Sequence, residues 1–218
     1  MKRFAFTMLE LLFVIVVIGI LAILSIPKFS TSPLHQAAEQ IANHIRYTQH
    51  IAMISDEFSE NDGAWYKKRW QIRFYEKGTP DNYYYTIFSD EDKNKNVDYG
   101  AGKTEVVIDP LTNKKFHVSE NSLMDLTGTY GIINVISSCM ISDGSLVTSN
   151  KGVFAFDELG RPYNGVSNAT SEFQYLLIQS CSITIQHKSD GNATIKVEPE
   201  TGYVCILDNT TGKCEGVE

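Results

Sequence analysis

Between Phe6 and Ile26 the chain offers no polar face: 21 residues, almost all apolar, with Glu10 as the only charge. A helix of that length spans roughly 30 Å, the thickness of one hydrocarbon core, so the pattern predicts a transmembrane segment. The short basic stretch "MKRFA" before it places the N-terminus in the cytoplasm by the positive-inside rule. Everything after Pro27 is then exported. The expected location is the inner membrane, single pass, with a periplasmic C-terminal domain. A secretory signal peptide fits less well, because the apolar run is long and no A-x-A-like site follows it.

The pattern then becomes amphipathic. In "STSPLHQAAEQIANHIRYTQHIAMISDEF" Leu34, Ala38, Ile41, Ile45, Ile51 and Ala52 recur at three-to-four spacing. Ser32 followed by Pro33 reads as an N-cap and first helical position, with a kink or restart near residues 30–33. The two stretches together predict one long helix, membrane-spanning over 6–29 and amphipathic over 30–60. His35, His44 and His50 fall on its second half. Their offsets set His44 opposite His35 and His50 on neither face, so they are read as solvent-facing rather than as a shared metal site.

Beyond residue 65 the period shortens to that of strands. The runs are 70–75, 83–88, 105–108, 132–136, 152–156, 182–188, 193–197 and 203–207, separated by Gly, Asn and Asp. In "WQIRFY" Trp70, Ile72 and Phe74 share one face, and Asp190-Gly191 marks a hairpin turn. The expected fold class is α+β, a long N-terminal helix packed on antiparallel sheets, with a globular head over 65–218.

Charge and cysteine usage narrow the function classes. The 218 residues carry a net charge of −7, which opposes binding to phosphate backbones unless basic residues cluster. The four cysteines, Cys139, Cys181, Cys205 and Cys214, form no C-x-x-C pair, which argues against a zinc ribbon or thioredoxin-type site. Their even number fits disulfides in an oxidising compartment. Cys205 and Cys214 bracket a hairpin-like loop, which favours Cys205–Cys214 with Cys139–Cys181, although three connectivities stay open.

Two segments invite chemistry. "SDEDKNKNVDYGAGKTE" sets Asp90, Asp92, Asn94 and Asp98 at positions 1, 3, 5 and 9 of a calcium-loop spacing, with the Asn96 carbonyl at position 7. Position 6 is Lys95 rather than Gly, and position 12 is Ala101 rather than Glu. Glu105 closes such a site only by a different loop path. "WYKKRWQIRFY" interleaves aromatics with Lys67, Lys68, Arg69 and Arg73, the composition of a nucleic-acid stacking surface. No nucleophile elbow, H-E-x-x-H or P-loop is present, and no enzyme is expected.

"RFAFTMLELLFVIVVIGILAILSIPKF" resembles the leader and N-terminal helix of type IV prepilins and type II secretion pseudopilins. "IANHIRYTQHIAM", "WQIRF…YYTIFSDEDKNKN" and "FDELGRPYN…SITIQ…ATIKVEPETGYVCIL" are similar to the minor pseudopilins of the type II secretion protein H family. The resemblance implies removal of a leader, residues 1–5, by a prepilin peptidase that cuts between Ala5 and Phe6 and methylates the new amine. The family usually has Gly before the cut, where this chain has Ala5. It implies assembly roles for Glu10, Gly19 and Pro27. Glu10 in an apolar segment costs about 2.5–3.5 kcal/mol unless partnered, and the freed amine of a neighbouring subunit is the partner implied. Gly19 and Pro27 loosen the helix between them. The implied function is a structural filament subunit of a secretion or pilus machine. Its partners are other pilins or pseudopilins, the peptidase and an inner-membrane assembly platform. A DNA-binding competence minor pilin is the alternative, although "GRPY" (160–163) lacks the second Arg of the string that some DNA-uptake relatives carry.

Overall fold

Thr7 opens the first helix: its Oγ1 accepts the Glu10 amide at 3.2 Å, and Glu10 lies in the first turn, where the helix dipole favours an acid. The computed structural model describes residues 7–25, 32–55, 57–78, 82–100, 102–140, 146–149 and 152–215, with the backbone alone for 20–25 and 146–149. The chain divides into two units, Met1–Thr31 and Ser32–Glu218. The first holds α1, Met8–Ser25. The second holds α2, Pro33–Ile54, and the whole β-rich head.

This corrects the expected long N-terminal helix and the inner-membrane location. The predicted 6–60 helix is two elements, of 18 and 22 residues. Among the described residues no helix is long and apolar enough to cross a membrane. At 1.5 Å per residue α1 is about 27 Å long, short of the roughly 30 Å needed. The second helix starts afresh for a local reason. Pro33 has no amide to give, and Ser32 Oγ accepts the His35 amide at 3.2 Å as a side-chain cap.

α2 buries Leu34, Ala37, Ala38, Ile41, Ala42, Ile45, Thr48, Ile51 and Ala52 along one face and exposes Glu39, Asn43, Arg46 and His50 on the other. That face lies against strands of two antiparallel sheets. The first sheet has the order β2-β1-β5-β6, from β1 (Gln71–Glu76), β2 (Tyr83–Phe88), β5 (Val153–Phe156) and β6 (Pro162–Tyr163). The second has the order β4-β3-β7-β8-β9, from β3 (Ile132–Met140), β4 (Leu146–Ser149), β7 (Cys181–His187), β8 (Gly191–Val197) and β9 (Val204–Leu207). A short helix α3, Leu126–Tyr130, precedes β3. The alanines of α2 let the strands approach closely, and Ile41 and Ile45, fully buried, each contribute about 1.5–3 kcal/mol.

The alternation read from the sequence is the alternation that packs. Ile183, Ile185, Ala193, Ile195 and Val197 face the core from the β7–β8 hairpin, whose register closes at His187 and Gly191. Gly191 takes φ +87°, the conformation the turn signal calls for. Residues 105–108 form no strand. Val106 bridges Phe88 and Ile108 bridges Lys115, one pair each. Side chains of α2 pin the turns over it: Gln49 Nε2 donates to the carbonyls of Gly160 and Thr201, at 2.9 and 2.8 Å. Gly202 is required there, since a Cβ on it would come within 2.4 Å of Gln49 Nε2.

Candidate functional site

The acidic loop leaves the first sheet at the end of β2 and returns toward it at Val106, bringing three carboxylates together. One carboxylate oxygen from each of Asp90, Asp92 and Glu105 lies within 4.8 Å of the others. Glu105 reaches the cluster because its backbone is tied to the β2 end: the Ser89 amide donates to the Glu105 carbonyl at 3.0 Å. Asp90 is completely buried. Its Oδ2 accepts the Lys95 amide at 3.0 Å, and its Oδ1 has no hydrogen-bond partner. Burial pushes the Asp90 carboxyl above its ordinary range; the Lys95 amide opposes this and the Asp92 charge adds to it. Glu105 is pushed up in the same way, by burial first, against the Asp98 amide and with the charges of Asp92 and Asp90.

The turn itself follows the spacing more closely than its residue types allow. Lys95, at the position where a calcium loop has Gly, adopts φ +71°, and Lys93 adopts φ +59°. The remaining candidates lie elsewhere. The Asn94 side chain donates to Asp92 Oδ2 at 2.8 Å and accepts the Asn96 amide, Asn96 is exposed, and Asp98 pairs with Lys103 at 2.6 Å. Asp98 thus stands outside the group of three carboxylates, and Glu105 joins Asp90 and Asp92 in it. The signal for it was in the sequence, an acid at the point where the chain rejoins β2.

The basic–aromatic strip is partly drawn into the fold. Arg69, 2% exposed, lies with its guanidinium 4.4 Å from the Tyr163 ring centroid and 5.1 Å from that of Trp65. It donates to the Glu172 carbonyl at 2.7 Å. Arg73 is half-buried over Phe88 and donates to Ser167 Oγ and the Lys95 carbonyl. Lys68 pairs with Asp62 at 3.2 Å; Lys67, half-buried, shares its short 3-10 turn. Lys93 binds the same Asp62 carboxylate, whose pKa is lowered to about 2 by that hydrogen bond first and the Ala64 amide next. The rings of Trp65 and Tyr163 form an internal cage for Arg69, and of the four cations in the strip it alone is buried.

His44 also turns inward. Its Nδ1 lies 2.6 Å from the Tyr85 hydroxyl and its ring meets Phe116 edge-on at 4.8 Å. Burial lowers its pKa to about 4, with Asp109 pulling the other way. His35 pairs with Glu39 at 3.2 Å, and His50 is exposed. Beside His44 a cleft of about 510 Å³ opens between α2 and the 109–116 segment, where Gln40, Tyr47, Leu111 and Tyr130 line it.

Of the processing and assembly residues, Ala5, Phe6 and Pro27 lie outside the described residues. Glu10 and Gly19 are on α1, where the apolar side chains from Met8 to Ile18 are exposed, Leu9 by 80% and Phe13 by 68%. The disulfides are Cys139–Cys181 and Cys205–Cys214, with Cα separations of 4.3 and 5.5 Å, and they fit an oxidising compartment. Compared with protein-family models, with curated proteins and with solved structures, the chain has no match.

Proposed function

We propose that the chain is a structural protein, a pilin-like subunit of the minor pseudopilin or minor pilin kind, which joins a helical filament through α1. The exposed apolar surface of α1 supports this reading above all other features. Each Å² of such surface left in water forgoes about 25 cal/mol, so a helix of this composition is stabilised by apolar company. A bundle of like helices covers it all round. Glu10, the only charge on α1, then needs a cation within that bundle, and the amine freed by cleavage before Phe6 of a neighbouring copy supplies one. The partners under this reading are other pilin-like subunits, a prepilin peptidase and an assembly platform, and no catalytic role is proposed.

Glu10→Leu tests it. In cells that express a prepilin peptidase, the variant loses residues 1–5 as the unmodified chain does, yet its incorporation into filaments falls at least about tenfold. Undiminished incorporation of Glu10→Leu overturns the reading, and so does an intact mass that retains residues 1–5.

A further inference from the structure

We propose that Asp90, Asp92 and Glu105 hold a calcium ion in the loop between β2 and Val106. An acidic cluster alone does not carry this; the unpartnered oxygen of a fully buried aspartate does. Asp157, buried as deeply, shows what the fold does with a structural carboxylate. Its Oδ1 accepts the amides of Leu159 and Arg161 at 3.1 and 2.8 Å, and its Oδ2 accepts Arg161 Nε and the Tyr163 hydroxyl at 2.7 and 3.1 Å. Asp90 Oδ1 receives nothing. A buried charged oxygen without a donor is a cost that a bound cation removes.

The protein's own cations are committed elsewhere. Lys93 pairs with Asp62, Lys103 with Asp98, and Arg73 donates to Ser167 and to the Lys95 carbonyl. Among the described residues no ion pair reaches Asp90, Asp92 or Glu105. Three carboxylates thus converge without a direct ion-pair partner, with Arg73 and Lys103 acting on them only from a distance, in a loop already turned by the left-handed Lys93 and Lys95.

The three carboxylate oxygens, within 4.8 Å of one another, are close enough to share one ion. Carboxylates and main-chain carbonyls on an irregular loop suit calcium, which takes about 6–8 hard oxygens in flexible geometry, whereas magnesium demands a near-ideal octahedron and keeps several of its waters. Main-chain carbonyls and water complete such a shell.

The test uses the full chain, stripped with EDTA, followed by thermal melting and calorimetric titration with CaCl₂ or MgCl₂. Saturating calcium raises Tm by about 5 °C or more, and one ion binds per chain. Asp92→Asn, at an exposed position that tolerates exchange, weakens calcium binding at least about tenfold while far-UV circular dichroism is unchanged. Glu105→Gln does the same; if it fails to fold, Asp92→Asn alone decides. A Tm that calcium leaves unmoved, an equal rise with magnesium, or an unweakened isotherm in Asp92→Asn overturns the proposal.

Discussion

The 89–117 segment and the second sheet are held by different means. In the segment, strand pairing is reduced to single bridges at Val106 and Ile108 and scattered backbone bonds such as Ser89–Glu105, and carboxylates, lysines and the His44–Tyr85–Phe116 contacts add to them. The second sheet has five antiparallel strands, with one register shift between Ile132 and Asn134, and two disulfides, and its outer turn is closed by Asp208. Asp208 accepts the amides of Thr210 and Thr211 at 2.7 and 2.8 Å, and its pKa is lowered to about 2, chiefly by the Thr210 hydroxyl. Covalent and fully satisfied closure makes a region indifferent to its solution. Closure by charge makes it responsive to protons and cations.

The largest expected effect sharpens the covalent side. Replacing Cys139 and Cys181 together by Ala removes a cross-link that spans 42 residues, and the unfolding free energy in urea falls by about 4 kcal/mol. The same double exchange at Cys205 and Cys214, which spans 9 residues, costs about 2.6 kcal/mol. Equal losses at the two would show that loop closure is not what these bonds contribute.

Acid probes the other side. The His44 pKa of about 4 lies below its ordinary 6.5, so between these values the unfolded chain binds a proton that the folded chain does not. Stability contributed by neutral His44 is complete above pH 6.5 and is lost as pH falls toward 4, by at most about 1.4 kcal/mol per pH unit. Urea melts across that window show the slope, and His44→Gln flattens it; a slope unchanged in His44→Gln places the acid sensitivity elsewhere. The smallest effect comes from Asp109→Asn. The exchange keeps an acceptor for the Leu111 amide at 2.9 Å but removes the charge that raises His44, so the His44 midpoint followed by NMR moves lower still. A midpoint that rises would break the electrostatic account of this segment.

Much of the fold was legible because its signals are local. Ser32-Pro33 restarts the helix through one side-chain oxygen and one missing amide, and Asp190-Gly191 closes its hairpin through one positive φ. Period-two runs became strands wherever a neighbour was there to pair with. The run at 105–108 had only single partners, and the short β4 and β6 carry too few residues to show a period. The helix–turn boundary was visible at Ser32, yet the unbroken spacing on either side of it favoured one long element. Of the acidic loop, the turn positions of Asp90 and Asp92 could be read, and the pairing of Asp98 with Lys103 could not.

By itself the sequence determined the apolar run with its one acid, the amphipathic face of α2, the hairpins and the count of cysteines, because each depends on residues a turn or a strand apart. Only the tertiary structure decided that Arg69 lies between two rings, that His44 is neutral, that Glu105 joins Asp90, and that one oxygen of Asp90 is left bare. Those outcomes depend on what distant segments bring to the same few ångströms. Burial then settles whether a charge is shared, silenced or left seeking a partner.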